Sequence, residues 1–413
     1  MKIKKSKYYD KTVCFLLMVL MSLPLLTNFF GAISLKLFST TLPSTFSLYV
    51  FLFILMTLSI PRLRNGKLSS LFLLYSFILF LFFFNYLVNT KSRIYYSLYL
   101  IELVTIFVFY LPIGLLSLYV EKWDYFYRYM KYLAILSPFL TILGIYCFDF
   151  HSFLHYMHIG NMLLPGMLFS YYYLRFKKQL KYSIIIILYF YLQLFFGGRM
   201  SFFSALFFVV LIEIIIYKHT DAAGKKIFTI LIAGFLSIVL FLSQNLILMG
   251  FIGLYGLGDS RNIQKIISNE LFISRGRQEI YHYAIIALKK LKLGMFGLFG
   301  DRIALTEYLY ILPYVHNVFF EMWFSFGWIF GSLVILIIII KIVKNLFLSN
   351  KIYVSINTAF YFCLIFLRLL VSSSFIIEGP FFLMVCILFN VYNKKQNNPI
   401  DNRFIKGKEQ LVP

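Results

Sequence analysis

The sequence predicts an all-α integral membrane protein with about twelve transmembrane helices and one large loop on the outer side of the membrane. Of its 413 residues, 61% are apolar and only 13% are charged, whereas a soluble domain has about 45–50% apolar and about 25% charged residues. The mean hydropathy is +0.84. This composition excludes an ordinary soluble protein and places the chain among membrane proteins.

The apolar runs give the predicted spans. A helix rises 1.5 Å per residue, so about 20 apolar residues cross roughly 30 Å of hydrocarbon. Such runs occur at 12–31, 42–60, 68–88, 95–119, 130–148, 159–175, 182–197, 200–217, 227–245, 316–340, 352–371 and 375–392. The basic segment 1–11 is interpreted as the start of an uncleaved first span, because no clear cleavage site of a signal peptide follows it.

Positive charges predict the orientation of these spans. Cytoplasmic loops of membrane proteins collect Lys and Arg. If the N-terminus is cytoplasmic, the loops on the same side are 61–67, 121–131, 175–181, 217–226, 341–351 and the tail after 392, and each carries several Lys or Arg residues. The loops on the other side of the membrane are short and carry few Lys or Arg residues, and the loop 89–93 is a mild exception. The net charge of +23 therefore reflects topology, both termini are predicted to be cytoplasmic, and no nucleic-acid partner is needed.

One predicted connection is long. About 70 residues, 245–315, separate spans nine and ten on the outer side, and loops longer than about 12–15 residues are usually functional or disordered. The apolar stretch 280–291 argues against disorder, so two or three short helices are expected. Residues 1–392, including this loop, are predicted to form a polytopic membrane domain, and 393–413 a disordered cytoplasmic tail.

Charged residues within the predicted spans need a partner or a function, because each costs roughly 2.5–3.5 kcal/mol at the bilayer centre. They are Glu102, Arg199, Glu213, Glu321, Arg368 and Glu378. Arg199 follows Gly197 and Gly198, which permit close approach of a ligand or of another backbone. An arginine can hold phosphate oxygens through two parallel hydrogen bonds. The alternative is an interfacial arginine that snorkels or pairs with a carboxylate.

The long loop offers a second group of cations. Arg275 and Arg277 stand at the start of a predicted helix, where free N–H groups and the helix dipole also favour an anion. Solvated loop charge is the simpler alternative. Downstream, Gly294, Gly297 and Gly300 predict a tight turn before residues 301–302.

His316 and Asn317 open the tenth predicted span. A histidine at a membrane mouth can exchange protons near neutral pH, although an interfacial histidine bonded to water is the alternative. Asn317 and Glu321 are four residues apart and share a helix face. Gly327 and Gly331 predict a small-residue face for close packing against another helix.

No metal site is predicted. His151, His155 and His158 recur at helical spacing, which could present a metal on one face. An amphipathic stretch on the outer surface explains them as well, and no further ligand beyond Asp149 completes the set. The four cysteines lack metal-like spacing.

Three of these pieces, in this order, resemble the O-antigen polymerase and O-antigen ligase superfamily. They are Gly198–Arg199–Met200–Ser201, then Arg277-x-x-x-Tyr281-x-x-Ala284 with Gly294, Gly297 and Gly300, then His316–Asn317 through Gly327 and Gly331. Tyr281 stands where members of the superfamily often carry Trp.

The resemblance implies a bacterial inner-membrane glycosyltransferase with a fold similar to the helical lipid-dependent (GT-C-like) enzymes. It implies an enzyme that needs no metal or cofactor and uses a sugar chain on undecaprenyl diphosphate. A polymerase of lipid-linked repeat units, for O-antigen or capsular polysaccharide, is favoured, because such polymerases diverge widely and no lipid A-core site is recognised here. A ligase is the alternative within the superfamily, and a flippase or transporter of lipid-linked oligosaccharides is the alternative outside it.

The resemblance also implies roles for residues. Arg199, Arg277 and Arg275 would bind the diphosphate, and His316 would act as general base on the acceptor hydroxyl or position it. Asn317, Glu321 and Arg368 are candidate supporting residues, and Arg368 could contact phosphate or pair with Glu378. Expected partners are the lipid-linked oligosaccharide, a chain-length regulator and a flippase.

Overall fold

A computed structural model describes residues 2–59, 68–148, 156–219, 275–291, 294–306, 308 and 314–390. Within these ranges the regular structure is helical, with no β-strand. The ninth predicted span (227–245), the first part of the long loop, His151, His155 and the tail 393–413 lie outside the described residues.

The first part of the chain forms mainly apolar helices. They are α1 (Lys2–Phe38), α2 (Leu42–Ser59), α3 (Leu68–Val88), α4 (Arg93–Leu98), α5 (Leu100–Thr105), α6 (Leu111–Ser117) and α7 (Asp124–Phe148). A 3-10 turn, Thr90–Ser92, precedes α4, and a π-helical turn, Ile106–Tyr110, joins α5 to α6.

The second part continues in the same way. Its helices are α8 (Tyr156–Lys177), α9 (Lys181–Phe196), α10 (Arg199–His219), α11 (Arg275–Leu291), α12 (Gly300–Leu305), α13 (Val318–Val343), α14 (Ile352–Tyr361), α15 (Leu367–Leu369) and α16 (Gly379–Leu388). The π-helical turns Lys344–Leu348 and Phe362–Phe366 follow α13 and α14. The long loop therefore contributes α11 and α12.

Seven helices in the described part are long and apolar enough to cross a membrane, judged by length and composition. They are Tyr8–Phe38, Ser69–Val88, Leu100–Ser117, Asp124–Phe148, Met200–Lys218, Val318–Leu348 and Ile352–Leu369. Shorter apolar helices run over Phe46–Ser59, Lys181–Gln193 and Gly379–Leu388. The prediction of a multi-pass helical membrane protein is confirmed, while the count of twelve and the orientation stay predictions.

Helix α8 lies at the centre of the packing. It contacts α1, α7, α9 and α10, and side chains all around it are buried, including Leu163, Met167 and Tyr172. Burial differs sharply among the spans: 83% of the most apolar stretch in Ile352–Leu369 is buried, but only 6% in Ser69–Val88. Helix α3 therefore stands at the periphery and offers nearly all of its apolar surface to lipid.

An ion pair between α8 and α10 fixes one end of this core. Arg175 donates from Nη2 to Oε2 of Glu213 at 2.7 Å and also pairs with Oε1 through Nε. Tyr171 donates its hydroxyl to the same Oε1 at 2.6 Å. Glu213, one of the charged residues found in the predicted spans, thus has a structural partner on a neighbouring helix.

Gly327 and Gly331 do not lie on one continuous helix, as the predicted small-residue face requires. Gly327 has φ 76° and ψ 170°, which interrupts α13. A Cβ on Gly331 would lie 2.7 Å from the carbonyl oxygen of Met322, although nine residues of straight helix would separate the two by about 13.5 Å. The glycines therefore allow the two parts of α13 to fold against each other, and this replaces the expected packing between different helices.

Candidate functional site

The long loop ends in a tight turn, as the three spaced glycines predict. Gly297 has φ 83°, and the N–H of Gly300 donates to the Gly297 carbonyl at 2.9 Å. A Cβ on Gly300 would lie 2.7 Å from the Phe324 carbonyl oxygen. Only glycine permits this approach, which sets α12 directly against α13.

A buried cluster of three ionisable side chains lies directly after this turn. Arg302 is 1% exposed and donates from Nη1 to Oδ1 of Asp301 at 3.0 Å and to Oε1 of Glu321 at 3.3 Å. The guanidinium also lies over the ring of Tyr99, with 5.1 Å from its carbon to the ring centroid. An arginine inside a protein keeps its charge and must be paired, so this cluster fixes α12, α13 and the start of α5 relative to one another.

Glu321 and Asn317 hold the segment 370–378, which connects α15 to α16. Oε2 of Glu321 accepts from the Phe375 N–H at 2.9 Å, and Oε1 accepts from the Ser374 hydroxyl. Nδ2 of Asn317 donates to the Leu370 carbonyl at 3.1 Å, while its Oδ1 caps α13 by accepting from the Phe319 N–H at 2.9 Å. Both residues therefore act on the same segment, and the described contacts of Glu321 run to Arg302 and this segment.

His316 adopts an unusual backbone conformation between these groups. Its φ is 54°, a left-handed value that costs a residue other than glycine of the order of 1–3 kcal/mol. The N–H of the preceding Val315 donates to Oδ2 of Asp301 at 3.2 Å. The ring of Tyr314 lies 3.8 Å from the His316 ring, centroid to centroid, and the Tyr314 hydroxyl donates to the Ser372 carbonyl at 3.1 Å. The surroundings thus impose the conformation of His316.

The electrostatic surroundings keep His316 neutral at pH 7. Burial, followed by the charge of Arg277, lowers its pKa from 6.5 to about 4, against the opposing effects of a hydrogen bond to the Ser372 backbone and of Asp301. Its Nδ1 is buried without a hydrogen-bond partner among the described residues. Arg277 and His316, two residues singled out by the sequence, therefore lie near enough for the charge of Arg277 to act on the imidazole.

A cavity of about 360 Å³ opens beside the segment 370–378. Its walls come from α1, α2, α5, α8 and the ends of α15 and α16, and its hydrogen-bonding side chains are Thr27, Asn28, Tyr49, Glu102, Thr105, Tyr110, His158, Asn161, Arg368 and Glu378. Arg368 and Glu378 form an ion pair in its wall, and the Ser373 hydroxyl donates to Glu378. Arg368 therefore pairs with Glu378 and lines the cavity at the same time.

The start of α10 lies next to this cavity. A Cβ on Gly160 would lie 2.7 Å from the Gly198 nitrogen, so Gly160 permits the close contact between α8 and the residues that begin α10. The Ser201 hydroxyl donates to Oδ1 of Asn161, a cavity residue, at 3.1 Å. Arg199 begins α10 at this point, which places its backbone beside the cavity.

The side chains of Arg199 and Arg275 lie outside what the structure describes, although both residues begin helices. Arg277 is half-buried in the first turn of α11. The residues that the sequence did not single out are Asp301, Arg302, Tyr99 and Ser374. The sequence offered one signal for this cluster, the opposite charges of Asp301 and Arg302 directly after the glycine turn. Their partner Glu321 could not be recognised in this way, because it lies 19 residues from Arg302.

No family model, curated protein or solved structure matches this chain. Its function is therefore inferred from its residues and their geometry. Among the described residues, no group of three or more His, Cys, Asp or Glu side chains is arranged to hold a metal ion.

Proposed function

We propose that the chain is a membrane glycosyltransferase that polymerises lipid-linked oligosaccharide repeat units. It would transfer a growing chain from undecaprenyl diphosphate to the next lipid-linked unit on the outer face of the membrane. The observation that carries the proposal is that the residues on either side of His316, Tyr314 and Asn317, hydrogen-bond to the segment 370–378, whose end lines the cavity. The charge of Arg277 acts on His316 at the same place.

The leaving group of this reaction is a lipid diphosphate, which gains negative charge as the sugar departs. Fixed positive groups stabilise such a charge best where water is excluded. Arg277 lies in the first turn of α11, where the helix dipole adds to the charge of the guanidinium. Arg275 in the same turn and Arg199 at the start of α10 are the further candidates for this role.

His316 suits the acceptor side of the reaction. The acceptor hydroxyl oxygen would bond to the anomeric carbon, its proton would pass to His316, and the bond from that carbon to the diphosphate oxygen would break with its electron pair leaving on the diphosphate. A base with a pKa of about 4 is neutral but weak at pH 7. A bound diphosphate would offset the field of Arg277, raise the pKa of His316 and so strengthen the base when substrate is present.

The buried Asp301–Arg302–Glu321 cluster supports this arrangement. Asp301 holds the backbone before His316, and Glu321 holds the segment that leads to Glu378 in the cavity wall. Such supporting contacts keep reacting groups within the narrow range of geometry that catalysis requires.

The proposal is tested by reconstituting the protein in liposomes with lipid-linked repeat units isolated from cells that lack it. We expect a ladder of longer lipid-linked chains on a gel, and no ladder for His316→Ala or Arg277→Ala. Lys289→Ala is the matched control, because Lys289 is an exposed cation at the other end of α11. A normal ladder from His316→Ala and Arg277→Ala would remove these residues from the site.

The alternatives give different products in the same experiment. A flippase would move single units across the bilayer without lengthening them. A ligase would lengthen no lipid-linked chain, and it would transfer single units only after a lipid A-core acceptor is added. Either result, in place of a ladder of lipid-linked chains, would overturn the polymerase proposal.

A further inference from the structure

The glycine turn between α11 and α12 is held from two sides by other helices. On one side, the Phe296 N–H donates to the Phe324 carbonyl of α13 at 2.9 Å. On the other side, the Phe296 carbonyl accepts from Nδ2 of Asn89, the residue that directly follows α3. The turn therefore connects the first part of α13 with the C-terminal end of α3.

The break in α13 makes the first of these bonds possible. In a continuous helix, the Phe324 carbonyl would accept from the N–H four residues further on, that of Trp328. Gly327, with φ 76° and ψ 170°, interrupts the helical geometry between the two. The break therefore frees the Phe324 carbonyl for the turn.

Two asparagines at the end of α3 hold the turn through hydrogen bonds of opposite direction. Asn85 accepts, because the Leu298 N–H donates to its Oδ1 at 3.0 Å. Asn89 donates from its Nδ2 to the Phe296 carbonyl. Gly297, between these two bonds, has φ 83°, and a Cβ there would lie 2.6 Å from Oδ1 of Asn85. Glycine thus allows both side chains to reach the backbone of the turn.

Only the oxygen of the Asn85 amide takes part in this contact. Its Nδ2 is buried and has no hydrogen-bond partner among the described residues. Aspartate has the shape of asparagine but carries acceptor oxygens alone when ionised. An aspartate at position 85 can therefore keep the bond to Leu298, whereas an aspartate at position 89 loses the donor and sets a carboxylate against a carbonyl.

The next residue of the turn is fixed by aromatic packing. Phe299 has φ 63°, in the left-handed region that favours glycine. Its buried ring lies 6.0, 5.2 and 5.8 Å from the rings of Tyr95, Tyr96 and Tyr99, centroid to centroid. These tyrosines belong to α4 and its C-terminal end, and α4 follows α3 after one 3-10 turn. The corner between α3 and α4 therefore holds the whole stretch 296–299.

This stretch sets the position of the buried charge cluster. The Arg302 N–H donates to the Phe299 carbonyl at 3.1 Å, and the Arg302 guanidinium carbon lies 5.2 Å from the centroid of the Phe299 ring. Asp301 holds the backbone before His316. A shift of the turn would therefore displace the cluster and, through it, His316.

Helix α3 is otherwise the least buried of the spans compared above. Only 6% of its most apolar stretch is buried, and Asn85 and Asn89 are half-buried beside exposed apolar residues such as Phe84 and Val88. A polar side chain next to hydrocarbon is costly unless it is hydrogen-bonded. The turn supplies these bonds, which gives the two asparagines a reason to be there.

We infer that Asn85 and Asn89 are positioning residues, which hold the turn 296–299 so that α12 presents Asp301 and Arg302 to the backbone of His316. The inference rests on the proposed function only for the reaction that they influence. It adds the C-terminal end of α3, where the sequence pointed to no candidate residue, to the site.

The test uses the full chain in nanodiscs. Asn89→Asp and Asn89→Leu remove the donor, Asn85→Asp keeps the acceptor, and Asn85→Leu removes it. Asn345→Asp is the matched control, because Nδ2 of this half-buried asparagine also donates to a backbone carbonyl, that of Leu388, just beyond the far end of α13. The readouts are amide hydrogen exchange of peptides covering 296–303, Tm, and kcat and KM for the lengthening of lipid-linked units.

We expect faster exchange in 296–303, by about three- to tenfold, in both Asn89 variants and in Asn85→Leu, because each loses one hydrogen bond. In the same variants kcat should fall by about threefold or more with little change in KM, because the charge cluster then leaves its position beside His316 more often. Asn85→Asp should keep at least about half of the parental kcat. Asn345→Asp should lower Tm as Asn89→Asp does, with parental kcat and parental exchange of the turn.

Three results would overturn the inference. Exchange in the Asn89 variants that matches Asn345→Asp would show that α3 does not hold the turn. Faster exchange with a parental kcat per folded molecule would reduce the asparagines to a role in stability, and an Asn85→Asp variant as impaired as Asn85→Leu would contradict the direction of its bond. Because exchange needs no reaction, a parent protein that makes no polymer would overturn the proposed function, while faster exchange in the Asn89 variants would still support the hold of α3 on the turn.

Discussion

Two buried ion clusters, one near each end of the membrane helices, use the same chemistry for different purposes. At one end, Arg175 meets Glu213 in a two-pronged pair of one cation and one anion. At the cavity end, Arg302 is shared between Asp301 and Glu321. The first cluster joins two helices and ends there. The second continues through hydrogen bonds to the backbone beside His316 and to the segment that leads into the cavity wall.

This difference predicts which of the two clusters matters for activity. Loss of the Arg175–Glu213 pair should lower stability alone, because the pair contacts no segment of the site among the described residues. Loss of the Asp301–Arg302–Glu321 cluster should lower stability and activity together, because its carboxylates also hold the loop and the cavity wall. Buried ion pairs are weak evidence for stability in themselves. The hydrogen bonds of Asp301 and Glu321 to other segments therefore distinguish the second cluster from the first.

The largest effect is expected from Arg302→Met. Removing one partner of a buried ionic group leaves uncompensated charge and costs about 3–5 kcal/mol, here on Asp301 and Glu321. We expect a marked fall in Tm in detergent and no polymer ladder. Asp301→Asn with Arg302→Met in one chain should recover part of the Tm, and a single Arg302→Met variant as stable as the parent would break the comparison.

The next effect is expected from His316→Gln, which should act on rate rather than on folding. Loss of a general base lowers rates by roughly 10²–10⁴-fold. Polymer formation should fall within that range while Tm stays near the parent value, because His316 is neutral and accepts no ionic partner. Single-turnover measurements with saturating lipid-linked units would check this, and a change confined to KM would instead indicate a role in binding.

A smaller effect, on stability alone, is expected from Glu213→Gln. Hydrogen bonds to charged groups contribute about 1.5–3 kcal/mol, and Arg175 is 23% exposed, so water can take over part of its solvation. Tm should fall moderately while the folded fraction polymerises at the parental rate. A loss of activity per folded molecule as large as that of Arg302→Met would show that the two clusters are equivalent.

The smallest effect at neutral pH comes from His316, whose protonation changes the stability only in acid. Its pKa is about 4 in the folded state against 6.5 in the unfolded chain, so the unfolded state binds more protons between these values and stability falls as the pH is lowered from about 6.5 to about 4. His316→Gln should flatten the Tm profile over that window. An unchanged slope in the variant would assign the dependence to other groups.

Much of the architecture follows from local sequence. The helical, multi-pass character comes from hydropathy and length, and the turn at Gly297–Gly300 comes from residues that tolerate unusual φ values or close contacts. The kink at Gly327 was missed because a glycine in an apolar run is equally compatible with a packing face and with a break. The π-helical turn before Pro112 was missed as well, because the hydroxyl that donates to its Phe107 carbonyl, that of Tyr75, comes from the distant helix α3.

The candidate site divides in the same way. The sequence by itself determined that the chain is a helical membrane protein and that charged residues such as Arg368 lie in apolar runs, where each needs a partner or a function. It also singled out Arg277 and His316 as candidate site residues. The tertiary structure alone decided that Arg302 is shared by Asp301 and Glu321, that Arg368 pairs with Glu378, and that this pair lines a polar cavity. The physical reason is range: hydropathy and turn preferences act over a few residues, whereas the partners of a buried charge are chosen by packing between segments that are distant in the chain.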